Sequence, residues 1–187
     1  MNRFVAGICA ILVTGMLGAV APVGAVDLIT AKSGLEKAVA EAKKWKPDAE
    51  LSGVSTSNAK EDGKSVVWTY SFQSRKTRTC ARVIILAAGR VTIQDLGNCT
   101  LFKPIATTFV DSPEAVAVAK AGGFQVGEEI SMHLTHRLDK NLTPSRECWS
   151  LSTYEHDFDR KIGLIRGWCV DPKNGKFVTR LAGEGGK

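Results

Sequence analysis

The residues best equipped for chemistry lie close together in Glu155-His156-Asp157-Phe158-Asp159. An imidazole beside carboxylates is the minimal pair for general acid–base catalysis, and the same carboxylates offer oxygen ligands to a cation. The run lacks the Asp-x-Asp-x-Asp-Gly spacing of a calcium loop, and charge at this density is ordinary content for a solvated hairpin loop. The other histidines, His133 and His136, stand three apart in Met132-His133-Leu134-Thr135-His136. On a strand, positions i and i+3 face opposite sides, so this pair cannot close on one metal ion. No nucleophile-elbow, H-E-x-x-H, P-loop or dinucleotide fingerprint occurs. No catalytic residue, metal site or cofactor is assigned. A small hydrolase using the His156 loop stands as the alternative reading.

The cysteines do a different kind of chemistry. Cys9 belongs to an N-terminal segment in which Arg3 precedes an uncharged run, Gly18 and Pro22 loosen the helix, and Val23-Gly24-Ala25 supplies small residues for cleavage. That is the pattern of a secretory signal peptide over residues 1–25. Cleavage there leaves 162 of the 187 residues and four cysteines: Cys80, Cys99, Cys148 and Cys169. An even number in an oxidising compartment, with no C-x-x-C, predicts two disulfides. A hairpin turning at Gly89-Arg90 sets Ala88 against Val91, Leu86 against Ile93 and Cys80 against Cys99. Those two cysteines then fall at a wide hydrogen-bonded pair, so a bulge or a frayed end has to bring them together. Strands 148–154 and 163–169, flanking a loop at 155–162, likewise set Cys148 against Cys169.

Charge narrows the partners. The formal net charge of +6 falls to +5 once Arg3 leaves, and the excess is spread along the chain. Its densest stretch, Arg75-Lys76-Thr77-Arg78, falls at an expected hairpin loop. No aromatic residues interleave with basic ones to stack bases, which argues against nucleic acid. An envelope protein resting on an anionic polymer is a further alternative. After Val26 no segment is apolar enough to span a bilayer.

These residues need elements to hold them, and the chain repeats its elements once. Residues 33–45, SGLEKAVAEAKKW, correspond to residues 112–124, SPEAVAVAKAGGF, at an offset of 79 that later drifts upward. Each stretch predicts a helix. Ser33 and Glu36 form a capping box, and Leu35, Ala38, Val39, Ala42 and Trp45 share one face up to Pro47. Ser112 caps the second helix, Pro113 takes its first turn and Gly122-Gly123 closes it. Strands are expected at 50–56, 65–73, 79–88 and 90–96, and again at 129–137, 146–154, 162–170 and 176–181. Asp62-Gly63-Lys64 and Pro172-Lys173-Asn174-Gly175 mark turns between them.

The small-residue helices, the strand Trp149-Ser150-Leu151 and the run from Cys169-Val170-Asp171-Pro172 to Gly175-Lys176-Phe177-Val178 resemble a tandem of PepSY-like domains. The resemblance implies an α+β, PepSY/cystatin-like fold of two repeated units, each one helix on a three- to four-stranded antiparallel meander. The units would span 26–100 and 112–187, joined by an apolar linker at 101–111. Its first copy departs from the pattern, closing on Ala87-Ala88-Gly89-Arg90 without the aspartate. The family carries no catalytic residues. It implies an exported, noncatalytic binding module whose partner is another exported protein or peptide, in some cases a protease held in check.

Sheet edges and a strand surface turned away from the helices are where such a partner would bind. Tyr70, Phe72, Leu151 and Trp168 are the expected patch. The linker, with Leu101, Phe102, Ile105, Phe109 and Val110, is too apolar to hang free and is expected to lie between the units.

Overall fold

The computed structural model describes residues 27–126, 129–137, 146–157 and 162–181; the expected signal segment lies outside the described residues. Chain order is α1 (Leu35–Trp45), β1 (Glu50–Ala59), β2 (Val67–Ser74), β3 (Thr79–Leu86), β4 (Val91–Asn98), α2 (Ser112–Ala121), β5 (Ile130–Arg137), β6 (Arg146–Asp157), β7 (Ile162–Val170) and β8 (Phe177–Leu181). All eight strands form one antiparallel sheet in the order β4-β3-β2-β1-β5-β6-β7-β8.

This corrects the expectation of two repeated helix-on-meander units. β1 and β5 would each end a separate meander with a row of unpaired backbone groups. They pair with each other instead, with Val54 opposite Leu134 and Thr56 opposite Met132. The apolar core is continuous across that seam. It runs from Trp68, Tyr70, Phe72 and Val83 through Val54 to Leu134, Trp149, Leu151 and Trp168, with Ala38, Ala42, Ala115, Val116 and Ala119 of the helices laid over it. Small residues on the helix faces let both helices approach the sheet closely. Trp68 and Trp149 meet edge to face at 6.1 Å, and Phe109 meets Trp149 the same way at 5.8 Å.

The helix starts differ from expectation. Gly34 occupies the N-cap of α1 with no side-chain cap, so the Ser33–Glu36 box does not form. Ser33 Oγ donates to Thr30 O in the preceding turn. At α2 the cap is Asp111, whose carboxylate accepts from Ser112 N–H and also from Lys32 N–H at 2.9 Å. Ser112 Oγ is thereby left to accept from Ala31 N–H at 3.1 Å. The two helix starts are thus stitched to each other. Gly63, at φ +77°, lets the β1–β2 turn press against the same point, where a Cβ would lie 2.6 Å from Ser112 O.

Both disulfides form as expected, Cys80–Cys99 and Cys148–Cys169, with Cα–Cα separations of 5.8 and 5.6 Å. The registers are not the expected ones. The β3–β4 loop is longer by one residue: Leu86 N–H donates to Arg90 O, and Ile85 stands opposite Val91. Gly89 takes φ +83° in that loop, the left-handed position that such a turn requires. A bulge then skips Leu96 and sets Cys80 opposite Gly97, so the sulfur bridge runs diagonally to Cys99. In the other hairpin Cys169 stands opposite Ser150, and Cys148 again reaches it on the diagonal. The strands there continue to Asp157 and resume at Ile162, so residues 155–157 and 162 of the expected loop belong to the ladder.

The connection from β4 to α2 is held at several points. Gln73 exchanges two hydrogen bonds with the Phe102 backbone, at 2.7 and 2.8 Å. Ile105 N–H donates to Leu51 O, Val110 N–H donates to Pro172 O, and the side chains of Ile105 and Phe109 are buried in the core.

Two outcomes are expected. Trp149→Ala removes the ring that meets both Trp68 and Phe109, and should lower unfolding free energy by about 3–5 kcal/mol in chemical denaturation. Mild reductant followed by thiol alkylation of the native protein should label Cys80 and Cys99 well before Cys148 and Cys169, since the second bridge is fully buried and exchange needs access to sulfur.

Candidate functional site

The four residues expected to form an outward patch do not form one. Tyr70, Phe72 and Leu151 are no more than 2 % exposed and Trp168 is 6 % exposed. The reason is strand alternation. Tyr70 and Phe72 share a face with Trp68, Leu151 shares one with Trp149, and Trp168 is the direct partner of Leu151. That face carries the helices. Tyr70 Oη donates to Ala31 O at 2.6 Å, and burial, reinforced by the Asp111 charge, pushes its ionisation far above the ordinary range. It is a permanent donor that holds the start of α1. Trp168 packs on Phe124 at 4.8 Å under the Arg180 guanidinium, and its buried indole N–H has no acceptor among the described residues.

On the opposite face, register and alternation place Ser55, Thr69, Ser71, His133, Thr135 and Ser150. The middle of this face is polar; across the sheet the row meets half-buried Ile84 beyond Thr69 and the Cys169 sulfur beyond Ser150. His133 approaches Ser131 Oγ at 3.0 Å.

The histidines separate as strand geometry requires. His136 stands opposite Glu147 at the ends of β5 and β6, on the other side of the sheet from His133. Its Nε2 lies 3.9 Å from Glu147 Oε1, and Lys173 Nζ lies 3.9 Å from Glu147 Oε2. Burial, then the nearby Lys103 charge, holds the imidazole below its ordinary range, with Lys173 adding to this and Glu147 opposing it. His156 pairs with Gly163 within the β6–β7 ladder, not in a loop as expected, while Phe158 and Asp159 lie outside the described residues. Among the described residues no group of three or more metal-ligating side chains comes together.

The edges of the sheet differ from its faces. β4 pairs with β3 alone, and after half-buried Val91 every residue from Thr92 to Asn98 is exposed. It has no lysine and no proline, the usual guards of an open edge. Ile93 is 39 % and Leu96 40 % exposed. Because Leu86 N–H donates to Arg90 O and an antiparallel ladder alternates, the amides of Val91, Ile93 and Asp95 point away from β3. One carboxylate on the strand is already committed: Asp95 accepts from the Trp45 indole at 2.9 Å and from Gly97 N–H, which together hold it below the usual carboxylate range. These bonds tie α1 to β4 and brace the strand without covering its outer edge. The sequence signal for this edge was that period-2 hydrophobicity stops after Ile93, at Gln94-Asp95.

Comparisons with protein-family models, with curated proteins and with solved structures find no match, and nothing in them identifies a PepSY-like domain.

The depressed His136 gives stability a defined pH dependence. Below the ordinary histidine value of 6.5 the unfolded chain takes up a proton that the folded protein resists. Stability should therefore be full above that value and fall as pH drops from about 7 towards 5. His136→Gln should flatten the fall in urea midpoints over that interval; an unchanged slope would remove His136 as its source.

Proposed function

We propose that this chain is an exported, noncatalytic binding module that takes an extended segment of another exported protein as an added strand along β4. Two disulfides, and the absence among the described residues of any helix long and apolar enough to cross a membrane, support a periplasmic or secreted setting. The observation that carries the binding role is the edge itself. β4 offers outward amides at Val91, Ile93 and Asp95, apolar side chains at Ile93 and Leu96, and no guarding charge beyond the engaged Asp95. Main-chain bonds supply affinity in such pairing, and alternate side chains supply selectivity. Restraint of an exported protease fits this mode, because an extended segment is also the shape in which a peptide strand is presented. With Tyr70, Phe72, Leu151 and Trp168 buried, this reading rests on the edge instead of the sheet face.

The test is retention of a partner from periplasmic or culture extract by the immobilised protein. Ile93→Pro removes an outward donor and no ladder bond, so the fold should survive while capture is lost. Ile93→Lys keeps the donor, adds a guarding charge and should weaken capture as well. Protection of the β4 amides from hydrogen exchange should accompany capture by the unaltered protein. A partner held equally by Ile93→Pro, with no new protection in β4, would rule this edge out.

A further inference from the structure

Helix α1 runs lengthwise beside the open edge of the sheet. Its start packs against Ile85, the β3 partner of Val91, where a Cβ on Gly34 would lie 3.3 Å from the Ile85 side chain. Its last residue, Trp45, bonds to Asp95 further along β4. The edge therefore has two unlike sides. Strand alternation turns Val91, Ile93 and Asp95 towards the helix, next to Val83 and Ile85 of the core, and turns Thr92 and Gln94 to the open side. Ile93, 39 % exposed, is the uncovered part of the apolar side.

The open side and both ends of the edge are cationic. Arg82 stands opposite Gln94 and shares its face. Arg90 immediately precedes β4, and Arg78 lies beside its far end, where the Arg78 carbonyl accepts from Cys99 N–H. All three arginines are exposed, and none forms an ion pair among the described residues. The single carboxylate on the strand, Asp95, faces the other way and is taken up by Trp45 and Gly97. Neighbouring strands lie about 4.8 Å apart, so a residue added beside Gln94 comes within about 10 Å of the Arg82 backbone, inside the span of two long side chains. A second copy of this chain supplies no countercharge there, since up to its bulge β4 turns only Thr92 and Gln94 to that side.

Given strand addition at β4, on which this depends, we propose that the accepted segment is an amphipathic strand of another exported protein, with apolar residues on the side of α1 and acidic residues on the open side. The apolar positions cover Ile93. The acidic ones meet Arg82 at mid-strand and Arg90 or Arg78 at the ends. Alternation makes the sequence requirement simple: every second residue is apolar and the residues between are acidic.

Eight-residue peptides, the length of β4, test this by backbone amide NMR of the disulfide-bonded protein at low ionic strength. One alternates valine with glutamate; the others alternate valine with threonine, valine with lysine, and threonine with glutamate. Saturable shifts at Val91, Ile93 and Asp95 are expected with valine–glutamate, about five- to tenfold tighter than with valine–threonine, the scale of a few exposed charge pairs. Valine–lysine and threonine–glutamate should both bind more weakly than valine–glutamate. Arg82→Gln with Arg90→Gln, both exposed positions, should bring valine–glutamate down to the affinity of valine–threonine. Equal affinity of valine–glutamate and either valine–lysine or threonine–glutamate, or an undiminished preference in the folded double variant, would overturn the proposed segment while leaving strand addition intact. No shift in β4 with any peptide would count against strand addition itself and take this proposal with it. A concentration-dependent dimer with β4 amides protected in the absence of peptide would assign the edge to a second copy and overturn the proposal.

Discussion

At the centre of the sheet two indole rings meet edge to face, and each also holds a piece of chain in place. Trp68 Nε1 donates to Ile29 O and Trp149 Nε1 donates to Val110 O, both at 2.9 Å. Those carbonyls belong to the segments that lead into α1 and α2. A buried indole N–H left without an acceptor would cost roughly 1–3 kcal/mol, so ring position and chain path are set together. The Asp111 and Ser112 side chains then join the two helix starts, and Gly63 admits the β1–β2 turn beside them. The β1–β5 pairing, the helix positions and the course of the connection all converge on this point.

Pairing β1 with β5 has a consequence for recognition. It removes two of the open edges that separate meanders would have left and leaves β4 and β8 as the outer strands. The core takes nearly every large aromatic side chain onto the helix side. The middle of the other face carries serine, threonine and histidine, with Ile84 to one side and the Cys148–Cys169 bridge to the other. What stays apolar and accessible lies mainly at the margins: Ile93 and Leu96 on β4, Phe102 just after it and Phe177 on β8. A sheet built this way offers backbone at its edges more readily than apolar side chains on its open face.

The connection between β4 and α2 works in a similar fashion. Ile105 and Phe109 are drawn into the core, and two backbone bonds fix the ends of the stretch between them and Pro172. That anchoring holds residues 106–109 in a path where their amides find no internal partner. Burial of the neighbours and exposure of these donors are two results of one route across the molecule.

Much of the local structure was determined by sequence alone. Turn residues and period-2 runs located eight strands to within a few residues, and helical spacing located both helices. Cysteine number and hairpin proximity determined the disulfide pairs. Alternation also put Tyr70 and Phe72, which stand two and four residues from Trp68, on one side of β2 with that ring. Tertiary structure decided what local pattern leaves open. A hydrophobic period does not say which strand lies beside β1, because that choice is made by hydrogen-bonding edges from distant parts of the chain. The capping of α2 by Asp111 rests on a carboxylate that must also serve Lys32, 79 residues away. The one-residue change in the β3–β4 loop and the Leu96 bulge decided that the cysteines meet on a diagonal. One cleft is lined by Lys32, residues 106–110 and Lys173, which only the folded chain brings together.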